Sequence, residues 1–164
     1  MSAQRIEPGP GQESVWDYPR PPVATPTTSL IRVVHAGVTI AETRSAVRVL
    51  ETSQPPAFYV PRDDVAAGCL RYCEQRSVCE WKGVANYWDV VAGDVVVPAA
   101  AWGYEHPTRK FASIAGHVAF YAQRLDECWV DDERVDPNPG SFYGGWITSR
   151  VVGPFKGGPG TMGW

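Results

Sequence analysis

The sequence predicts a mainly β fold of about eight short strands, and three observations carry that reading. β-branched and aromatic residues recur in short runs, the composition that strands favour. Those runs are cut by Ala36-Gly37, Pro55-Pro56 and Ala92-Gly93, which punctuate strands as turns. Only two places signal a helical turn, and no repeat of 20 to 50 residues is present. A barrel-like or folded-sheet architecture accommodates such a pattern.

Taken in order, residues 30–35 and 38–41 flank Ala36-Gly37 and read as a hairpin. Residues 46–51 form another β-branched run, and residues 58–60 a short strand. Pro61 opens a helical turn through Asp63, Asp64 and Val65, with acidic residues where the helix dipole favours them. Residues 79–91 read as one long strand, from which residues 94–97 turn back across Ala92-Gly93. Residues 108–115 suit a short helix. Residues 117–121 and 127–130 complete the strands, and Asp131-Asp132 turns the latter toward residues 133–135.

With 164 residues, 44% of them hydrophobic and 20% charged, the chain suits a single folded domain. Its net charge of −3 offers no general attraction to nucleic acid or to an anionic membrane. Residues 1–8 contain no apolar run of the secretory kind. The most apolar stretch, residues 90–102, is broken by Gly93, Asp94 and Pro98, short of the roughly 20 residues that span a bilayer. The expected location is the cytoplasm. There Cys69, Cys73, Cys79 and Cys128 stay reduced, and their spacing lacks the tight pairs of a zinc site. No metal or other cofactor is expected.

The two ends differ from the middle. Ten of the fifteen prolines lie in residues 1–28 and 137–164, and eight of the sixteen glycines in the last 28 residues. Those 28 residues also hold Phe142, Tyr143, Trp146, Phe155 and Trp164, rings that gain from burial. The expected organisation is a Pro-rich N-terminal arm over residues 1–29, a domain over residues 30–136 and an ordered, Gly- and aromatic-rich C-terminal arm over residues 137–164. The N-terminal arm carries Val15, Trp16 and Tyr18 ahead of a stiff Pro19-Arg20-Pro21-Pro22 run.

Familiar catalytic motifs are missing. The glycine-rich stretch at residues 153–161 has Lys156 but no Gly-Lys-Ser/Thr junction, and the sequence has no G-x-G-x-x-G, H-E-x-x-H or G-x-S-x-G. The informative region joins residues 50–61 to residues 79–88. Regular alternation over residues 79–88 places Cys79, Trp81, Gly83, Ala85 and Tyr87 on one face, and Glu80, Lys82, Val84, Asn86 and Trp88 on the other. Neither face is plainly polar, so the strand is covered on both sides and Lys82 needs a counter-charge or a ligand. Glu51, ending an apolar strand, is the candidate counter-charge. Two readings stand: a structural ion pair, or a pair that orients a small molecule among rings. Gly83 marks a bulge, a close backbone approach or simple twist.

These residues resemble a known group. Leu50-Glu51-Thr52-Ser53 with Pro55-Pro56 and Tyr59, Cys79-Glu80-Trp81-Lys82-Gly83 with Tyr87-Trp88, and Phe120-Tyr121 before Val130 and Glu133-Arg134-Val135 are similar to the bacterial and fungal family known as domain of unknown function 427. The likeness runs in order over residues 30–136. The flanks resemble longer actinobacterial members, at residues 13–22, 142–146 and 153–157. The resemblance implies a bacterial protein with a β-tent-like fold, two antiparallel sheets meeting over a cleft, with one or two short helices. Zinc-bearing relatives of that fold carry two C-x-x-C pairs, which are missing here, so their metal does not carry over. Gln54 stands where many members have histidine before the two prolines. The family has also carried a nucleotidyltransferase label, whose paired-aspartate metal motif does not occur in this sequence.

Three functional expectations follow. The first is a binding module for a small organic molecule in an aromatic-lined cleft formed by Glu51, Tyr59, Trp81, Lys82 and Tyr87. The second is an enzyme, nucleotidyltransferase-like or thiol-based; in the latter Cys79 is the catalytic candidate, activated by Lys82 or by His117. The third is an interaction or homodimerisation module using the terminal arms.

Overall fold

The computed structural model describes residues 4–164. The first three residues of the expected N-terminal arm, and of the leader reading over residues 1–8, lie outside the described residues. In chain order the strands are β1 (Glu13–Ser14), β2 (Val23–Pro26), β3 (Ile31–His35), β4 (Val38–Thr43), β5 (Val47–Leu50), β6 (Ala57–Pro61), β7 (Leu70–Cys79) and β8 (Gly83–Ala92). They continue with β9 (Val95–Gly103), β10 (His117–Phe120), β11 (Glu127–Val130), β12 (Glu133–Arg134), β13 (Asp136–Pro137), β14 (Trp146–Ile147) and β15 (Val151–Val152). Three 3-10 turns, Val15–Asp17, Arg62–Asp64 and Arg109–Ile114, are the helical elements among the described residues.

Two antiparallel sheets dominate, and among the described residues no barrel closes. The larger has seven strands in the order β2-β5-β6-β10-β9-β8-β7, the smaller four in the order β12-β11-β3-β4. The hairpin β3-β4 turns through Ala36 (φ 50°) and Gly37 (φ 74°), the paired positive φ values that match strand twist in a two-residue loop. The two-residue β8-β9 turn, Gly93-Asp94, has a positive φ at Gly93 alone (φ 60°).

Strand alternation builds two apolar layers on the large sheet. Phe58, Val60, Trp88, Val90, Val118 and Phe120 face the small sheet, where they pack with Ile31, Val33, Ile40, Cys128 and Val130. On the opposite face, Val47, Val49, Tyr59, Ala85, Tyr87 and Ala119 form a second layer with Trp102, Tyr104 and Tyr121. Phe111 and Ile114, from the Arg109–Ile114 turn, cap part of that layer.

Residues near both termini are built into this frame. β2 is an edge strand of the large sheet, paired with β5 from Val23↔Leu50 to Pro26↔Val47. Trp146 is 1% exposed, stacks on Phe58 at 5.4 Å and donates its indole N–H to the Phe120 carbonyl at 2.9 Å. β1 and β15 pair in parallel, and Val15, Tyr18, Leu50 and Val151 form a third small cluster.

One strand is corrected. Residues 79–91 are not a single strand: β7 ends at Cys79, Glu80-Trp81-Lys82 make a three-residue turn, and β8 starts at Gly83. Gly83 has φ +104°, which a side chain disfavours, so the glycine permits the reversal. β7 is an exposed edge, with Glu74 and Gln75 bulged out between the pairs Cys73↔Tyr87 and Arg76↔Asn86.

Candidate functional site

The second layer gathers most of the side chains that the sequence singled out. Tyr59 (β6) and Tyr87 (β8) point onto it, and Trp81 and Cys79 pack against its edge from the β7-β8 turn. That turn is latched from outside. Thr108 donates its backbone N–H to the Lys82 carbonyl at 3.0 Å and its hydroxyl to the Trp81 carbonyl at 2.7 Å. The latch aims the half-buried Lys82 over the layer, with its Nζ 5.6 Å from the centre of the Tyr104 ring, a cation–π distance.

The tyrosines are ordered by one another. Tyr59 accepts a hydrogen bond from Trp102 Nε1 at 3.2 Å, its ring standing edge-on to the indole at 6.1 Å. Trp102 packs on Tyr121 at 4.4 Å, and the Tyr87 hydroxyl shares a 2.7 Å hydrogen bond with Ser77. Burial raises the pKa of Tyr59, Tyr104 and Tyr121, so all three remain neutral O–H donors at physiological pH. Burial opposes the charge on Lys82, but the acidic groups of Tyr59, Cys79 and Glu51 outweigh it, and the net shift is upward. Lys82 is therefore a cation throughout the physiological range.

Glu51 does not pair with Lys82. No carboxylate of the described residues comes within 4.0 Å of the ammonium, and Glu51 Oε2 instead lies 3.5 Å from Arg20 Nε. The direct Glu51–Lys82 counter-ion expected from the sequence is thus replaced by a longer-range influence. Cys79 and Lys82, on opposite faces of a regular strand, come together because the turn intervenes. His117 makes its hydrogen bond to the Ala115 carbonyl at 3.2 Å and none to Cys79.

Sequence reasoning missed Trp102, Tyr104 and Tyr121. The first two are two residues apart, Trp102 in β9 and Tyr104 just past its end, and lie in the same layer, a period-2 signal that was present in the sequence. Tyr121 had no comparable signal, because its place depends on β10 lying between β6 and β9.

A cavity of about 290 Å³ lies elsewhere, lined by Glu13, Arg48, Phe58, Thr148 and Arg150 among others. Its cations are already matched: Arg48 pairs with Glu13 at 2.9 Å and Arg150 with Asp131 at 2.8 Å. Among the described residues, no group of three or more His, Cys, Asp or Glu side chains is placed to hold a metal ion. All four cysteines are free, Cys69 and Cys128 being buried. No described helix is long and apolar enough to cross a membrane.

The profile of one family, described as Domain of unknown function (DUF427), matches residues 23–131, which is 109 of the 164 residues. No curated protein matches the chain.

Proposed function

We propose that this chain, which belongs to the domain of unknown function 427 family, binds a small organic molecule on the tyrosine-lined face of its large sheet, at Tyr59, Trp81, Lys82 and Tyr87, with Glu51 behind them. The observation that carries the reading is the Lys82 ammonium, half-buried among rings with no carboxylate partner among the described residues. Desolvating a charge that no counter-ion matches is costly, the neighbouring Cys79 thiol being only a weak acceptor, and a ligand offsets that cost. Trp102, Tyr104 and Tyr121 supply the apolar walls that small-molecule sites require.

The test is a thermal-shift screen of wild-type protein and Lys82→Ala against nucleotides, amino acids and sulfoxides. A ligand at 100 times its Kd adds about 2.7 kcal/mol, or several degrees in Tm for a chain this size. A coherent set of hits that vanishes in Lys82→Ala supports the site. Equal responses of the two proteins refute it.

A thiol-based reaction is a second reading, favoured by the closeness of Cys79 to Lys82. A cation beside a thiol stabilises the thiolate. Cys79 alkylation with a midpoint near the ordinary thiol value of about 8.5, unchanged in Lys82→Ala, counts against it.

A further inference from the structure

The polar groups on the tyrosine-lined face are unbalanced in kind. Lys82 offers three N–H donors; it has the Cys79 thiol, a weak acceptor, within hydrogen-bonding reach, and neither an ion pair nor a hydrogen bond to oxygen among the described residues. Tyr59 already accepts from Trp102 Nε1, an obligate donor, so its own O–H is directed at something else. The hydroxyl of Tyr104, whose ring lies under the Lys82 ammonium, has no hydrogen-bond partner among the described residues. Donors therefore exceed acceptors on this face, and Glu51, the nearby carboxylate, is held by Arg20.

Charge sets the valence of what fits. Lys82 and Arg20 contribute two positive charges and Glu51 one negative, while the tyrosines are neutral. The surplus is a single positive charge. A monoanion is matched by it, whereas a phosphate dianion is left undercompensated beside Glu51. The surrounding rings of Tyr59, Trp81, Trp102 and Tyr104 favour a flat or apolar body over a compact, hydrated one.

Resting on the small-molecule reading above, we infer that the ligand is a monocarboxylate with a planar or apolar body, its carboxylate held by Lys82 Nζ and the hydroxyls of Tyr59 and Tyr104. No covalent step is implied.

Benzoate, benzamide and inorganic phosphate are suitable probes, titrated by calorimetry into the full chain and into Lys82→Met, Tyr59→Phe and Tyr104→Phe. Circular dichroism first establishes that each variant is folded, and the two tyrosine variants keep the test intact if Lys82→Met fails to fold. We expect benzoate to bind roughly 10- to 100-fold more tightly than benzamide, the range of a charge-assisted hydrogen bond. We expect phosphate not to compete, Lys82→Met to abolish the preference, and each Phe variant to weaken benzoate several-fold. Benzamide binding as well as benzoate, with both weakened by Trp81→Ala, overturns the carboxylate assignment while leaving the small-molecule site standing. Phosphate displacing benzoate overturns the monoanion argument. No binding of any probe at about 10 mM, beyond the millimolar range in which fragments bind, overturns the inference; if the metabolite screen is also empty, the site reading falls with it.

Discussion

Replacing Trp146 with alanine removes the largest fully buried side chain of the main core. The indole is 1% exposed and stacked at 5.4 Å and 27° on Phe58, so little rearrangement can fill the space that it leaves. Large-to-small changes of this kind cost about 3–5 kcal/mol. The lost indole N–H also strips the 2.9 Å hydrogen bond from the Phe120 carbonyl, which lies inside the core. Trp146→Phe separates the two effects. It keeps most of the ring contact and loses the donor, for about 1–3 kcal/mol. At roughly 2–4 °C per kcal/mol for a chain of this size, Trp146→Ala should lower Tm by roughly 6–20 °C. Urea denaturation followed by circular dichroism gives the free energies directly. A Trp146→Ala protein within about 1 kcal/mol of wild type, the range of an ordinary surface substitution, would refute the reasoning, because it would mean that the residue lies on the domain rather than in its core.

Further outcomes are expected at other points. A methyl at Gly144 would meet Trp102 Cη2 inside contact distance and Tyr121 Cδ1 at 3.1 Å. Gly144→Ala should therefore cost about 1–3 kcal/mol by overpacking, and equal stability by urea titration would contradict the close approach. The Arg48 guanidinium beside Glu13 holds its carboxyl below the usual carboxylate range. Its contribution is present above the unfolded value near 4.5 and lost as pH falls through the lower folded value. Acid titration of tryptophan fluorescence should accordingly show a transition below about pH 4.5 that Glu13→Gln reduces; an identical titration of the variant would exclude this pair as the cause. Burial pushes the Cys128 thiol up to about 12 and also raises Cys69, so a disulfide reagent at pH 8 should modify Cys73 and Cys79 well before those two. Four equal rates by mass spectrometry would contradict that order.

What the sequence revealed depended on how local the cause was. The β3-β4 hairpin was legible because Ala36-Gly37 sits between two apolar runs. The β7-β8 hairpin was not, since Glu80-Trp81-Lys82 carries no turn residue before Gly83 and the alternation continues across it by chance. β7 itself went unread, because Arg71, Glu74, Gln75 and Arg76 lie on an exposed edge that needs no apolar pattern. At the site, Tyr59, Trp81 and Tyr87 lie in one apolar layer, and Lys82, which regular alternation puts on the other face of a strand, reaches the Tyr104 ring of that layer because a turn intervenes. The partner of Glu51 was hidden, since Arg20 reaches it through the pairing of β2 with β5 rather than through any nearby spacing.

The parallel pairing of β1 with β15 has a consequence for how the molecule comes into being. It works as a buckle: Glu13 meets Val151, Ser14 meets Val152, and Trp16 Nε1 reaches the Pro154 carbonyl across 138 positions of sequence. None of these contacts can form until nearly all of the described chain has left the ribosome. Contacts of such long separation slow folding, because the loop must close before anything is gained from closing it. Until residues 146–154 are available, Phe58 lacks its Trp146 partner and Trp16 its carbonyl acceptor, whereas β2 to β6 can already pair with one another. The β1-β15 pairing is thus the part of the frame that cannot be assembled from neighbouring sequence.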